Sequence, residues 1–210
     1  MLAMLDSMLL ENRIPQESRL FLSRPSAALI RSFLETQSQL NFSYAAVGST
    51  ASKPPAGFSL DCSRVKLGDG EKVFDAAKAA LRNWKPFELG WVEATPIDTP
   101  IEKDAMVAIV ARSVVLWTLH ACRIVYVVDE DGPICRYGFA YGTLPGHMEM
   151  GEERFLIEWD RARGEVCYDI LAFSRPRHIL ARLAYPWTRY LQARFRRDSS
   201  DAMRRTITAQ

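Results

Sequence analysis

The stretch Tyr137 to Phe155, YGFAYGTLPGHMEMGEERF, holds the densest set of chemically capable side chains in the 210-residue chain: Tyr141, Thr143, His147, Glu149, Glu152 and Glu153. An imidazole titrates near neutral pH, so His147 is the candidate general base. Glu149 and Glu152 are its candidate catalytic partners. Carboxylates buried together raise one another's pKa, which prepares an acid for work at pH 7. The same donors suit a hard metal ion, although no metal and no cofactor is assigned. A purely structural role competes with all of these. In it the glutamates are solvated, or they pair with Arg123, Arg136 and Arg154 to fasten strands together.

Alternate side chains of a strand share a face. Tyr137, Phe139, Tyr141 and Thr143 therefore point one way, and Gly138, Ala140 and Gly142 the other. Small residues on one face allow the sheet to bend, or admit another backbone or a ligand. Arg123 and Arg136 stand in otherwise hydrophobic strands, where a buried guanidinium requires a partner. A turn glutamate is the natural one, and such a pair at a cavity wall would recognise a polar head group. The candidate ligand-binding residues are Arg123, Tyr126, Arg136, Tyr141, Thr143, Glu153, Tyr168 and Trp187, with Trp91 and Trp159 completing an aromatic lining. His120, in VVLWTLHAC, reads as a core histidine. His178, beside Arg175 and Arg177, reads as a surface residue.

No GxSxG, Walker or HExxH motif is present, and GDGEK at 68–72 lacks the length and the terminal Lys-Ser/Thr of a phosphate loop. The four cysteines, Cys62, Cys122, Cys135 and Cys167, show no CxxC or zinc-ligand spacing and read as free thiols in a reducing compartment. MLAMLDSMLLENR lacks the basic start and cleavage site of a signal peptide, and no run approaches the roughly 20 apolar residues of a membrane span. A cytoplasmic protein is expected. A net charge of +2 does not call for a polyanionic partner.

Helical spacing of Leu2, Leu5, Met8, Leu9 and of Leu29, Ile30, Phe33, Leu34 predicts a helical arm over 1–40, with Ser23 as an N-cap before Pro25. Residues 41–210 form the main domain. It opens with a strand over Phe58–Leu67 and a helix over Glu71–Trp84, stopped by Pro86. Strands follow at Phe87–Thr95, Ala105–Arg112, Val114–Asp129, Cys135–Thr143, Glu152–Asp160 and Glu165–Phe173. Their hairpin-length connections impose antiparallel pairing. A last helix runs from about Arg177 to Arg205, with a kink expected at Pro186 and an apolar face of Ile179, Leu180, Leu183, Trp187, Tyr190, Leu191 and Phe195. Its many arginines read as a solvated outer face. Contact with an anionic membrane surface is a lesser alternative, and nucleic acid is not expected because no stacking platform accompanies the charge.

The fold class is thus α+β, a seven-stranded antiparallel sheet that needs the final helix to cover one face. This order resembles the helix-grip fold of the START and birch-pollen-allergen superfamily, in which a curved sheet wraps a long C-terminal helix. It departs in having one helix between the first two strands where many members have two. The phrases FSYAAVGST, FELGWV, CRIVYVVDE, YGTLPGHMEMGEERF, YDILAFSRP and YLQARF resemble a bacterial and plant family classed as a domain of unknown function among START-like folds, over about Arg24 to Met203. The resemblance implies the fold and brings no reaction or cofactor. It leaves three expectations: a small apolar or amphipathic ligand held between sheet and helix; an enzyme of hydrolase, cyclase or isomerase type using His147 and the glutamates; or an interaction module using the arm. The oligomeric state is not read from the sequence.

Overall fold

Apolar alternation broken by short polar turns dictates a meander of antiparallel strands. The structure, a computed structural model, describes residues 19–177 and 185–208. Its strands are β1 (Arg19–Phe21), β2 (Ser59–Asp69), β3 (Val92–Thr95), β4 (Met106–Ser113), β5 (Leu116–Glu130), β6 (Ile134–Thr143), β7 (Glu149–Asp160) and β8 (Glu165–Pro176). Its helices are α1 (Ala27–Ser38), α2 (Glu71–Arg82) and α3 (Tyr185–Thr208). Seven strands form the sheet in the order β2-β8-β7-β6-β5-β4-β3, every neighbouring pair antiparallel, and β1 pairs with β5. β5 outruns β6, and β1 takes the free stretch, with Arg19–Phe21 opposite Trp117–Leu119. Bulges at Lys66/Gly68 and Ile124/Tyr126 bend their strands and help the sheet curl around α3.

The concave face carries the main core. Phe74, Ala77 and Leu81 recur at helical spacing on α2 and pack with Phe87 on Ile124, Phe139, Phe155, Ile157 and Ile170. Met203 of α3 joins them. The convex face has its own layer, in which Ile30, Phe33 and Leu34 of α1 cover Val110, Leu119 and Leu144. Ser26, whose side chain accepts from the Leu29 amide, is the α1 N-cap, one turn later than the expected Ser23. Of the expected arm, residues 19–38 are built into the sheet and its convex cover. Residues 1–18 lie outside the described residues, as do Ile179, Leu180 and Leu183.

Three boundaries differ from expectation, each for a local reason. Phe87 belongs to a 3-10 turn, Lys85–Phe87, that buries its ring in the core, so β3 begins only at Val92. Val114 and Val115 form the two-residue turn between β4 and β5, with Val114 at φ 55°. β7 begins at Glu149, three residues before the expected Glu152, so Glu149 too is a strand residue. Pro186 is the second described residue of α3, and the residues before Tyr185, where the expected kink would show, lie outside the described residues. A curled antiparallel sheet gripping a long C-terminal helix is a helix-grip fold.

The space expected beside Gly142 is occupied by the chain itself. A Cβ there would lie 2.2 Å from the Tyr44 hydroxyl and 2.9 Å from the Phe42 ring. Residues 42–51 lie against this convex surface.

Candidate functional site

α3 is tightly buried only in its second half, at Ser199, Ser200, Ala202 and Met203. Its first half leaves a cavity of about 450 Å³ against the concave face. Phe87, Trp91, Val92, Ile109, Leu191 and Phe195 supply apolar walls, and Asp61, His120, Tyr141, His147, Glu149, Glu153, Gln192 and Arg196 bring polar groups to the same space.

Strand alternation decides which glutamates arrive there. Glu153 stands opposite Tyr141 and Ala172 on the concave face, and Glu149 is four residues before it on the same side. The Tyr141 hydroxyl donates to Glu153 Oε2 at 2.7 Å. Gln192 of α3 donates from Nε2 to Glu149 Oε2 at 2.7 Å and to Ser174 Oγ at 3.0 Å. Asp61 of β2, only 6% exposed, receives both η nitrogens of Arg189, and Arg196 Nη1 lies 2.8 Å from its Oδ1. Burial raises the pKa of Glu149 and of Glu153 to about 7, opposed by Gln192 and Arg189 for the former and by Tyr141 and Arg196 for the latter.

His147 is held by the turn after β6. The Gly146 amide donates to Gln37 Oε1 of α1 at 2.8 Å, and the His147 amide to the Leu144 carbonyl at 2.9 Å. The Glu149 amide donates to His147 Nδ1 at 3.0 Å. That nitrogen is therefore an acceptor, and the ring proton sits on Nε2. The His120 ring lies 4.5 Å away, centroid to centroid. Burial holds His120 down to about 4, and burial together with His120 and Arg177 holds His147 well below its usual range. Both imidazoles are neutral at pH 7. Glu149 and Glu153 are the carboxyls of the cavity held near pH 7. Among the described residues, His120 Nδ1 and Glu149 Oε1 are buried without a hydrogen-bond partner, and both residues line the cavity.

The remaining candidates divide. Thr143 lines the cavity and is bonded by Ser43 and by the Gly151 amide, and Trp187 stands half-exposed at its rim with Nε1 donating to Ser113 Oγ at 2.9 Å. Trp91 also lines it, whereas Trp159 packs against Phe74. Tyr168 is buried in the core beneath, its hydroxyl 3.1 Å from Ser199 Oγ. Glu152 falls on the opposite parity from Glu153. Its carboxylate binds Tyr44, Gly48 and Thr50 on the convex side.

Arg123, Tyr126 and Arg136 also fall on the convex side, and the expected pairing of Arg123 or Arg136 with a turn glutamate is not formed. Arg123 Nη2 donates to the Ser38 and Leu40 carbonyls at 2.7 and 2.9 Å, tying down the C-terminal end of α1. The Tyr126 hydroxyl meets Thr50 Oγ1 at 2.7 Å. Arg136 bridges Glu158 and Glu130 at 2.9 and 3.2 Å in a separate charged groove. Among the described residues no set of three His, Cys, Asp or Glu side chains is placed to hold a metal ion, and no helix is long and apolar enough to cross a membrane. The cysteines are all free, Cys62 exposed and Cys122, Cys135 and Cys167 buried.

Sequence reasoning missed Asp61, Arg189, Gln192 and Arg196; His120, read as a core histidine, is buried and also lines the cavity. A signal for three of them exists: 189, 192 and 196 fall at helical spacing along one stripe. Arg189 and Arg196, expected on the solvated face, turn to Asp61 instead.

The chain is similar to several known proteins. A UPF0548 protein of Dictyostelium discoideum is 37% identical over 203 residues, covering 88% of this chain and 94% of that protein. Among solved structures, a hypothetical protein from Helicobacter pylori shares the fold at a TM-score of 0.50 and 10% identity, over 78% of this chain and 94% of that one. Human STARD10 aligns at a TM-score of 0.45 and 12% identity, over 86% of this chain and 80% of its own. The family model described as domain of unknown function DUF1990 matches residues 43–202, and the chain belongs to that family.

Proposed function

We propose that the protein binds a small amphipathic molecule between the concave face and the first half of α3. The observation that carries this reading is a cavity of about 450 Å³ whose apolar walls meet a polar end formed by Asp61, Tyr141, Glu149, Glu153 and Gln192. Phe87, Trp91, Leu191 and Phe195 would take the apolar body. Native mass spectrometry of the protein from its own host tests this. A reproducible small-molecule adduct that is lost in Leu191→Trp is the expected result. An unliganded mass in both, with no thermal shift from amphipathic probes, would overturn it.

A second reading, an enzyme acting in the same cavity, is favoured by the Glu149 carboxyl held near 7, where it both gives and takes a proton at physiological pH. In that reading Glu149 exchanges the proton and His147 Nε2–H donates a hydrogen bond. Glu149→Gln would then abolish turnover of a ligand that still binds.

A further inference from the structure

We infer that the ligand's polar end is a protonated amine, an ammonium seated between Glu149 and Glu153. This rests on the binding reading and adds the chemical class. The argument is a charge count over the described side chains that face the site; Arg112 also lines the cavity, but its guanidinium lies over the Trp117 ring. β2 contributes Asp61, β7 contributes Glu149 and Glu153, and α3 contributes Arg189 and Arg196. His120 from β5, Tyr141 from β6 and His147 from the turn are neutral, and Arg177 after β8 is engaged by the Pro145 carbonyl.

Both guanidiniums are committed to Asp61. The two glutamates are held by neutral donors alone, Gln192 and Tyr141. With all three carboxylates ionised the cluster has one negative charge more than it has cations. One monovalent cation balances it, whereas an anionic head group would add a second unpaired charge in a poorly solvated site. Glu149 and Glu153, on one side of β7 and both lining the cavity, are the carboxylates that an N–H would meet. The raised pKa values of both glutamates agree: burial without a cationic hydrogen-bond partner favours a proton on the pair. Binding of an ammonium should therefore expel protons.

The test uses n-octylamine, n-octanol and n-octanoate, one alkyl chain with three head groups. Titration calorimetry of the full chain at pH 7, in phosphate and in Tris, reads affinity and proton exchange together. The expected result is octylamine binding about tenfold or more tighter than octanol, and octanoate weakest, each tenfold being a factor of ten in Kd. Up to about one proton should be released per amine bound. Glu149→Gln with Glu153→Gln should cut the advantage of the amine over the alcohol to below about threefold while octanol binding is kept. Octanol or octanoate binding as tightly as octylamine, or binding of the amine without proton release, overturns the amine and leaves the cavity a binding site. If none of the three gives heat or a thermal shift up to about 1 mM, a Kd weaker than any specific ligand needs, the amine and the binding reading fall together. Should the double variant not fold, the proton count on the unaltered chain still decides.

Discussion

Glu149 and Glu152 lie three residues apart on β7, and their replacement by glutamine should have opposite effects. Glu152 is 2% exposed, and each of its oxygens takes two donors. Oε2 accepts from the Tyr44 hydroxyl at 2.7 Å and the Gly48 amide at 2.7 Å, and Oε1 from the Thr50 amide at 2.9 Å and the Thr50 hydroxyl. A glutamine keeps one oxygen and turns the other into an NH₂. The hydroxyls can rotate to accept from it, but a backbone N–H cannot. Its best orientation keeps the Thr50 amide and leaves Gly48 facing a donor. One charge-assisted bond is lost, at about 1.5–3 kcal/mol, and one amide is left unpaired, at about 1–3 kcal/mol. Glu152→Gln should therefore cost about 3 kcal/mol in urea unfolding followed by tryptophan fluorescence. Hydrogen exchange at Gly48 and Thr50 should accelerate with it. Glu149→Gln keeps the bond from Gln192 and removes a carboxylate that burial penalises, so at pH 8 it should be neutral or stabilising. A loss below about 1 kcal/mol for Glu152→Gln, with both amides still protected, would refute the reasoning.

Two further outcomes follow from the geometry. Burial holds Glu149 and Glu153 up to about 7 from an ordinary 4.5, so their contribution to stability is full below pH 4.5 and lost as pH rises to 7; burial holds His120 at about 4 and His147 low, so theirs is present above pH 6.5 and lost as pH falls. The slopes oppose between about pH 5 and 6, so a His120→Gln, His147→Gln variant should lose stability with rising pH by up to about 1.4 kcal/mol per pH unit per carboxyl, and an unchanged urea midpoint across that window would sink the assignment. Gly142→Ala drives a Cβ to 2.2 Å from the Tyr44 hydroxyl that Glu152 holds, and should cost about 1–3 kcal/mol in thermal denaturation, whereas no loss would mean that residues 42–51 do not sit on β6.

The sheet was legible because period-2 apolar patterning and short Gly- or Asp-bearing turns are local signals, and six hairpin-linked runs leave few ways to pair. The misread boundaries are those where tertiary packing overrides the local signal. Phe87 carries strand chemistry but is drawn into the core behind α2. Val114 is β-branched yet sits at φ 55° because Ser113 pairs with Leu116 and leaves only two residues to turn the chain. The site was half legible. Tyr141, His147, Glu149 and Glu153 are close in sequence and meet in the cavity. Asp61 and its two arginines come from opposite ends of the domain, 128 residues apart for Arg189, and no local pattern joins them.

The decisive point was the parity of GEE at 151–153. Strand alternation, applied to β6, assigns Tyr141 and Gly142 to opposite faces; extended across the ladder to Glu153 and Glu152 it sends one carboxylate to the cavity and the other to the convex face. β7 therefore does two jobs with adjacent residues. A slip of one residue would present to the convex face a carboxylate whose normal partner is Tyr141, and would leave in the cavity one that needs four donors. Apolar patterning at Phe155 and Ile157, both in the concave core, opposes that slip. The segment that fastens the outside of the sheet engages Glu152 and leaves Glu153 to the cavity, so loosening it with Glu152→Gln should weaken the proposed octylamine binding only through loss of folded protein, not through the affinity of the molecules that remain folded.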